Sequence, residues 1–149
     1  LLAKSDLFKY LHEHRLVIAD AMIRLKRAYS TPSPQDGLRL LVDRLWPRGC
    51  RKEALRLDGW RKDLAPSAAL RTWFGHDPAK WDEFRRRYQL ELDRSEQRDA
   101  IAALAQLART TTITLVFGAA DPDHNHAVVL KDVLEEAQKR LGRKNRPRN

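Results

Sequence analysis

Two short stretches of the chain carry residue types that could do chemistry. Residues Leu40–Gly49 read LLVDRLWPRG, an apolar run that ends in Asp43, Arg44 and Arg48 around a Trp46-Pro47 stop. Residues Asp121–His126 read DPDHNH and follow a second apolar run. Charged groups beyond the carboxyl ends of buried strands are how open α/β sheets build ligand sites. Arg44 and Arg48 suit an anion, because a guanidinium meets phosphate or carboxylate with two parallel hydrogen bonds. Asn125 and His126 fall near the first turn of a helix, whose free N–H groups and partial positive charge favour the same ligand. The expected ligand-binding set is Arg44, Arg48, Gly49, Asn125 and His126. Asp43 and His126 are the candidates for catalysis. Asp43 would act as a base or orient Arg44, and His126 would hydrogen-bond the ligand or shuttle a proton.

Each of these residues also has a plainer reading. Asp43 can simply pair with Arg44 or a neighbouring arginine. An unpaired charge at the end of a buried strand is costly, so Asp43 or a ligand must neutralise Arg44. Arg48 sits in a Pro-Arg-Gly turn that water can reach. His126 is spaced with Leu130 and Val133 and so faces the sheet, where histidines are often satisfied core residues. Asn125 can serve only as a helix cap, and His124 falls on another, exposed face. Cys50, His124 and His126 lack the paired spacings of a structural zinc site, so no metal is expected. Cys50 has a basic setting but no assured base to make it a nucleophile. The chain has no phosphate-binding glycine loop or dinucleotide fingerprint, and no cofactor is expected.

The elements that must position these residues follow from apolar periodicity. Ile23, Leu25 and Arg27 alternate with Arg24 and Lys26, as in a half-exposed strand. Ser30–Gly37 is a proline-rich loop, and Leu38–Trp46 reads as a buried strand. So short a loop predicts an antiparallel first pair. Ala54, Leu55, Leu57 and Trp60 predict a short helix. Pro66-Ser67 opens another, with Leu70, Trp73 and Phe74 inward and Gly75 closing it. Asp77-Pro78 starts a third, carrying Trp81, Phe84, Tyr88 and Leu92. Ser95 caps a fourth, with Ile101, Leu104, Ala105 and Ala108 towards the core. Thr111–Gly118 is a buried β-branched strand. Asp121-Pro122 opens the last helix, striped by Ala127, Leu130, Leu134, Ala137 and Leu141 and ended by Gly142. The aromatic residues sit at core spacing.

This order predicts a single α/β domain: a small, mainly parallel sheet of about three strands packed with about five helices. The chain's 149 residues suit one core, and 42% hydrophobic with 33% charged residues is a globular composition. Charges through residues 1–21 exclude a secretory signal, and no apolar run is long enough to span a membrane. One cysteine gives no internal disulfide, which points to the cytoplasm. Met22 reads as a natural start, so residues 1–21 are an appendage, 22–141 the domain and 142–149 a basic, disordered tail. The net charge is +9. Much of that excess is Lys139, Arg140, Arg143, Lys144, Arg146 and Arg148, near the end of the chain.

Three ordered stretches carry a family resemblance. VDRLWPRG at 42–49, LAPSAALRTWFGHDPAKWDEFRRRY at 64–88 and LVFGAADPDHNHAVVL at 115–130 resemble the YeaO-like branch of DUF488, a bacterial domain of unknown function. The resemblance covers Ile23–Leu141 and leaves out both termini. A larger branch of that superfamily carries a Cys-Ala-Glu stretch before a Cys-His-Arg motif. By that resemblance Phe117 stands in place of the first cysteine, Ala119 of the glutamate, Asn125 of the second cysteine and Ala127 of the arginine. Only His126 matches. The reactive thiols and carboxylate of that branch are missing here.

Two functions from different classes follow. The first is a pocket for an anionic small molecule, phosphate- or carboxylate-bearing, at the carboxyl ends of the two core strands, with Asp43 and His126 as its candidates for catalysis. The second is a nucleic-acid-associated or regulatory protein that uses Arg85, Arg86, Arg87 and the basic tail, with binding that falls steeply with salt. Neither involves a membrane.

Overall fold

The computed structural model describes residues 21–144, together with Asp6 and Lys9. Four strands form one sheet: β1 (Ile23–Arg27), β2 (Leu38–Leu41), β3 (Gly59–Trp60) and β4 (Ile113–Phe117). Their order is β1-β4-β2-β3, and every pair is parallel. Five α-helices are seen among the described residues: α1 (Lys52–Leu55), α2 (Ala68–Phe74), α3 (Trp81–Leu92), α4 (Ser95–Leu107) and α5 (His126–Lys144). The α/β class and the small parallel sheet are as the sequence predicts, with one further strand.

β4 is central because each of its five residues is apolar or β-branched and each is buried. Its register places Leu115 between Leu25 and Leu40, and Val116 between Lys26 and Leu41. Alternate residues therefore face opposite sides of the sheet. Ile23, Leu40, Val42, Ile113, Leu115 and Phe117 pack under α2–α5 in the larger core. Phe84 and Tyr88 of α3, with Leu130 and Leu134 of α5, are almost wholly buried there. Each such side chain contributes about 1.5–3 kcal/mol by leaving water. Phe74 stacks on Phe84 at 4.2 Å between ring centroids, which fixes α2 against α3.

The other face has only a small apolar cluster, with Leu41, Leu55 and Val116 at its centre. Charge fills the rest. Asp36, only 1% exposed, accepts from Lys26 Nζ at 3.0 Å and from Arg39 Nη1 at 2.7 Å. It also accepts from the Ser33 N–H at 2.9 Å, and its own carbonyl accepts from Thr114 Oγ1 at 2.7 Å. Arg39, equally buried, donates through Nε to the Leu55 carbonyl, and its backbone N–H donates to the Asp58 carboxylate. The loop before β2 thus covers a face that a crossover helix would otherwise shield.

That loop explains the first departure from expectation. β1 and β2 are not an antiparallel pair; β4 lies between them, and both run parallel to it. The Ala28–Gly37 connection crosses β4 and is held there by Asp36 and Thr114, so no helix is needed. The predicted short helix ends at Leu55, and its last aromatic, Trp60, belongs to β3. The β2 ladder ends at Leu41, although the Val42 N–H still bonds the Val116 carbonyl at 3.0 Å. Ser67 caps α2, whereas Ser95 is the first helical residue of α4 and caps nothing. α5 starts at His126 rather than at Asp121-Pro122, and it runs through Gly142 instead of stopping there. The expected appendage lies almost wholly outside the described residues, as does the end of the tail.

Burial pushes the Asp36 carboxyl up, but its bonds to Ser33, Lys26 and Arg39 outweigh this and hold it below the usual 3.8. A depressed folded value means that its contribution is present above the unfolded value and lost as pH falls through the folded one. Urea unfolding should therefore show stability falling in acid below about pH 4, with a smaller fall in Asp36→Asn. At neutral pH Asp36→Asn should lose about 3–5 kcal/mol, because Lys26 and Arg39 then face each other without an anion.

Candidate functional site

The carboxyl ends of β1, β2 and β4 lie at one edge of the sheet, as parallel strands require. Asp43 is the first residue beyond β2 and Val42. Its Oδ2 accepts from the Gly118 N–H at 2.9 Å, just past β4. A Cβ on Gly118 would sit 2.9 Å from that oxygen, so any other residue there would push the Asp43 carboxylate aside. His126, the first residue of α5, brings Nε2 to 3.1 Å from the Val42 carbonyl and 3.0 Å from Asp43 Oδ1. Because a carbonyl can only accept, Nε2 carries the proton in the bond to Val42. The N–H is aimed at the carbonyl, so Asp43 Oδ1 is buried with no hydrogen bond of its own. Tyr88 stands edge-on to the imidazole at 6.4 Å, and burial, then the nearby Glu91 and Asp43, pushes its phenol well above 10. The strand ends thus bring Asp43 beside His126 rather than beside Arg44, and both are engaged with backbone.

Arg44 points to a different neighbour. Its Nε donates to the Pro66 carbonyl at 3.0 Å, in a loop held from two other sides. Tyr88 donates to the Leu64 carbonyl, and the Glu91 carboxylate accepts from Ser67 N–H at 2.7 Å and Ser67 Oγ at 2.6 Å. Asp43 does not pair with Arg44. Among the described residues no carboxylate forms an ion pair with this half-buried guanidinium.

The remaining candidates divide by exposure. Asn125 is buried; its Nδ2 donates to the Asp121 carbonyl and its Oδ1 accepts from the Val128 N–H, so it is occupied as the cap of α5. His124 is partly exposed, bonded to Asp121 and edge-on to Trp81. Arg48 is exposed in the turn closed by Gly49, whose φ of +74° favours glycine. Sequence reasoning missed Arg27 and Tyr29. Arg27 Nε donates to the Ala119 carbonyl at 2.9 Å, and its guanidinium lies 5.1 Å from the Tyr29 ring centre. The Tyr29 hydroxyl donates to the Arg48 carbonyl at 3.0 Å. Their position at the end of a parallel strand was the available signal, hidden by the antiparallel expectation.

The Arg85–Arg87 run is supplied with acids. Arg86 and Arg87 share Glu83, and Arg85 reaches Asp132 at 4.0 Å. Those bonds, that of Arg86 first, draw the Glu83 carboxyl down to about 2. Two surface grooves are lined by residues other than the strand-end candidates. One of about 1000 Å³ runs between α3, α4 and α5, and one of about 530 Å³ lies beside Trp46 and Trp60. Among the described residues no cluster of His, Cys, Asp or Glu is arranged to hold a metal ion. No described helix is long and apolar enough to cross a membrane.

A small parallel α/β domain with polar residues gathered at the carboxyl ends of its strands defines the class. The chain belongs to the DUF488 family: residues 22–148 match the group described as the inactive DUF488-N3 subclade. The match includes most of the basic tail, which the sequence resemblance had left out. The chain is 42% identical to the uncharacterized protein YeaO of Escherichia coli, over 75% of this chain and 96% of that one. It is 41% identical to the uncharacterized protein Rv3073c of Mycobacterium tuberculosis, over 79% of this chain and 98% of that one. No solved structure matches it.

Two measurements check this geometry. A double-mutant cycle of Asp43→Ala and His126→Ala should give a coupling of about 0.5–3 kcal/mol, whereas simple additivity would show that the two side chains stand apart. In carboxyl NMR titrations Glu83 should titrate near 2 in the wild type, and closer to its ordinary 4.5 in the Arg86→Ala/Arg87→Ala double variant.

Proposed function

We propose that the protein binds an anionic small molecule, phosphate- or carboxylate-bearing, at the carboxyl edge of its sheet, and that it binds without turning the ligand over. The observation that carries this reading is Arg44, half-buried and with no ion pair among the described residues. A guanidinium partly withdrawn from water is costly without an anion, and its Nε anchor on Pro66 leaves the two Nη groups for a ligand. Exposed Arg48 and half-buried Arg27 add positive charge at the same edge. Binding without reaction is supported by the engagement of Asp43 and His126 with Gly118 and Val42. It is supported too by Phe117, Ala119 and Asn125 standing where a related branch carries reactive groups, and by the family's description as inactive.

The basic-surface reading is less favoured, because Arg85, Arg86 and Arg87 already have acidic partners that phosphates would need to displace.

Calorimetric titration with inorganic phosphate and small phosphorylated or dicarboxylate compounds tests the proposal. Arg44→Gln can keep a donor to Pro66 while removing the charge. It should fold normally and lose at least tenfold in affinity, the order expected for a charge-assisted hydrogen bond. Binding that is equal in wild type and variant, or absent from the folded wild type, would sink the reading.

A further inference from the structure

We propose that Arg27, Tyr29 and Arg48 form a shelf for the base of a nucleotide, and that the anion taken at this edge is the nucleotide's phosphate. This rests on the anion reading of Arg44 and adds what is attached to the anion. Tyr29 is 51% exposed, and so is a large aromatic surface presented to solvent. Its ring is nevertheless fixed. The backbone holds one end just after β1, and the hydroxyl is tied to the Arg48 carbonyl. The Arg27 guanidinium lies 5.1 Å from the ring centre and is itself anchored on Ala119, between the ends of β1 and β4.

With the Arg27 guanidinium over one face, the fixed, exposed ring offers its other face to a planar base, which stacks there with little loss of side-chain freedom. Neither Arg27 nor Arg48 forms an ion pair among the described residues, unlike Arg85, Arg86 and Arg87. An inorganic anion or an aliphatic carboxylate would engage the arginines and leave Tyr29 unused. A base bearing a phosphate uses both.

The test compares inorganic phosphate, ribose phosphate, adenosine monophosphate and a short single-stranded oligodeoxyadenylate by calorimetry. The proteins are the wild type, Tyr29→Leu, Tyr29→Phe and Arg44→Gln, each first checked for a native melting curve. Adenosine monophosphate should bind roughly tenfold tighter than ribose phosphate, the size that base–aromatic stacking gives. Tyr29→Leu should abolish that preference without changing the affinity for ribose phosphate, and Tyr29→Phe, which keeps the ring, should retain most of it.

Equal affinity for adenosine monophosphate and ribose phosphate, with both lost in Arg44→Gln, would overturn the shelf and leave the anion site standing. Failure of every phosphate to bind would overturn both. An oligonucleotide that binds more tightly than the mononucleotide and is weakened by Tyr29→Leu would support the shelf with a single strand as its source; parity between the two would support it with a free nucleotide. Oligonucleotide binding indifferent to Tyr29→Leu would overturn it.

Discussion

The Asp36 carboxylate is the point on which the sheet's less-covered face depends. It joins Lys26 of β1 to Arg39 of β2, while its own carbonyl receives the Thr114 hydroxyl of the β4 strand between them. Arg39 carries the link onward to the Leu55 carbonyl and the Asp58 carboxylate, and so to β3. Two cations and one anion are thereby withdrawn from water. Arg39 Nη2 has no hydrogen-bond partner among the described residues. Such a network is seldom a source of net stability, but breaking it is severe, because the charges that remain are buried. Its effect is to fix which strands are neighbours. A chain with no crossover helix between β1 and β2 needs that constraint.

Fixing the strand order fixes the carboxyl edge. With β4 between β1 and β2, the segments that follow all three emerge side by side. Asp43 can then meet the Gly118 N–H, and Tyr29 can meet the Arg48 carbonyl. α5 enters from the same edge, with Asn125 as its cap and His126 against Val42. The result is a rigid edge. Asp43, His126 and Asn125 each spend hydrogen bonds on backbone.

The arginines differ in whether a carboxylate meets them. Arg39, Arg61, Arg86 and Arg87 have carboxylates at 2.7–2.9 Å. Arg27, Arg44 and Arg48 form no such pair among the described residues, and they share the carboxyl edge. Surface pairs such as Glu83 with Arg86 and Arg87 contribute little to stability and mainly cancel charge locally. The unpaired arginines leave that edge positive.

The sequence alone determined the class of fold and the polar strand ends. The β-branched run of β4, the helical stripes and the Ser67 and Asp77-Pro78 caps are local signals, so they were legible without tertiary contacts. Asp43 and His126 were each legible as candidates because both follow apolar strands, but their meeting was not, since it depends on how the strand ends and the last helix pack. Local pattern could not reveal that a loop would replace a crossover helix, since that depends on Asp36 finding Lys26, Arg39 and Thr114 across three strands. Nor could it reveal β3, whose two residues are a strand only because the N–H groups of Asp58 and Arg61 bond the carbonyls of Arg39 and Leu41. The same limit hid Arg27 and Tyr29. Their chemistry was in the sequence, but their place beside Arg48 was decided by strand order, which long-range hydrogen bonds and buried charge set and periodicity does not.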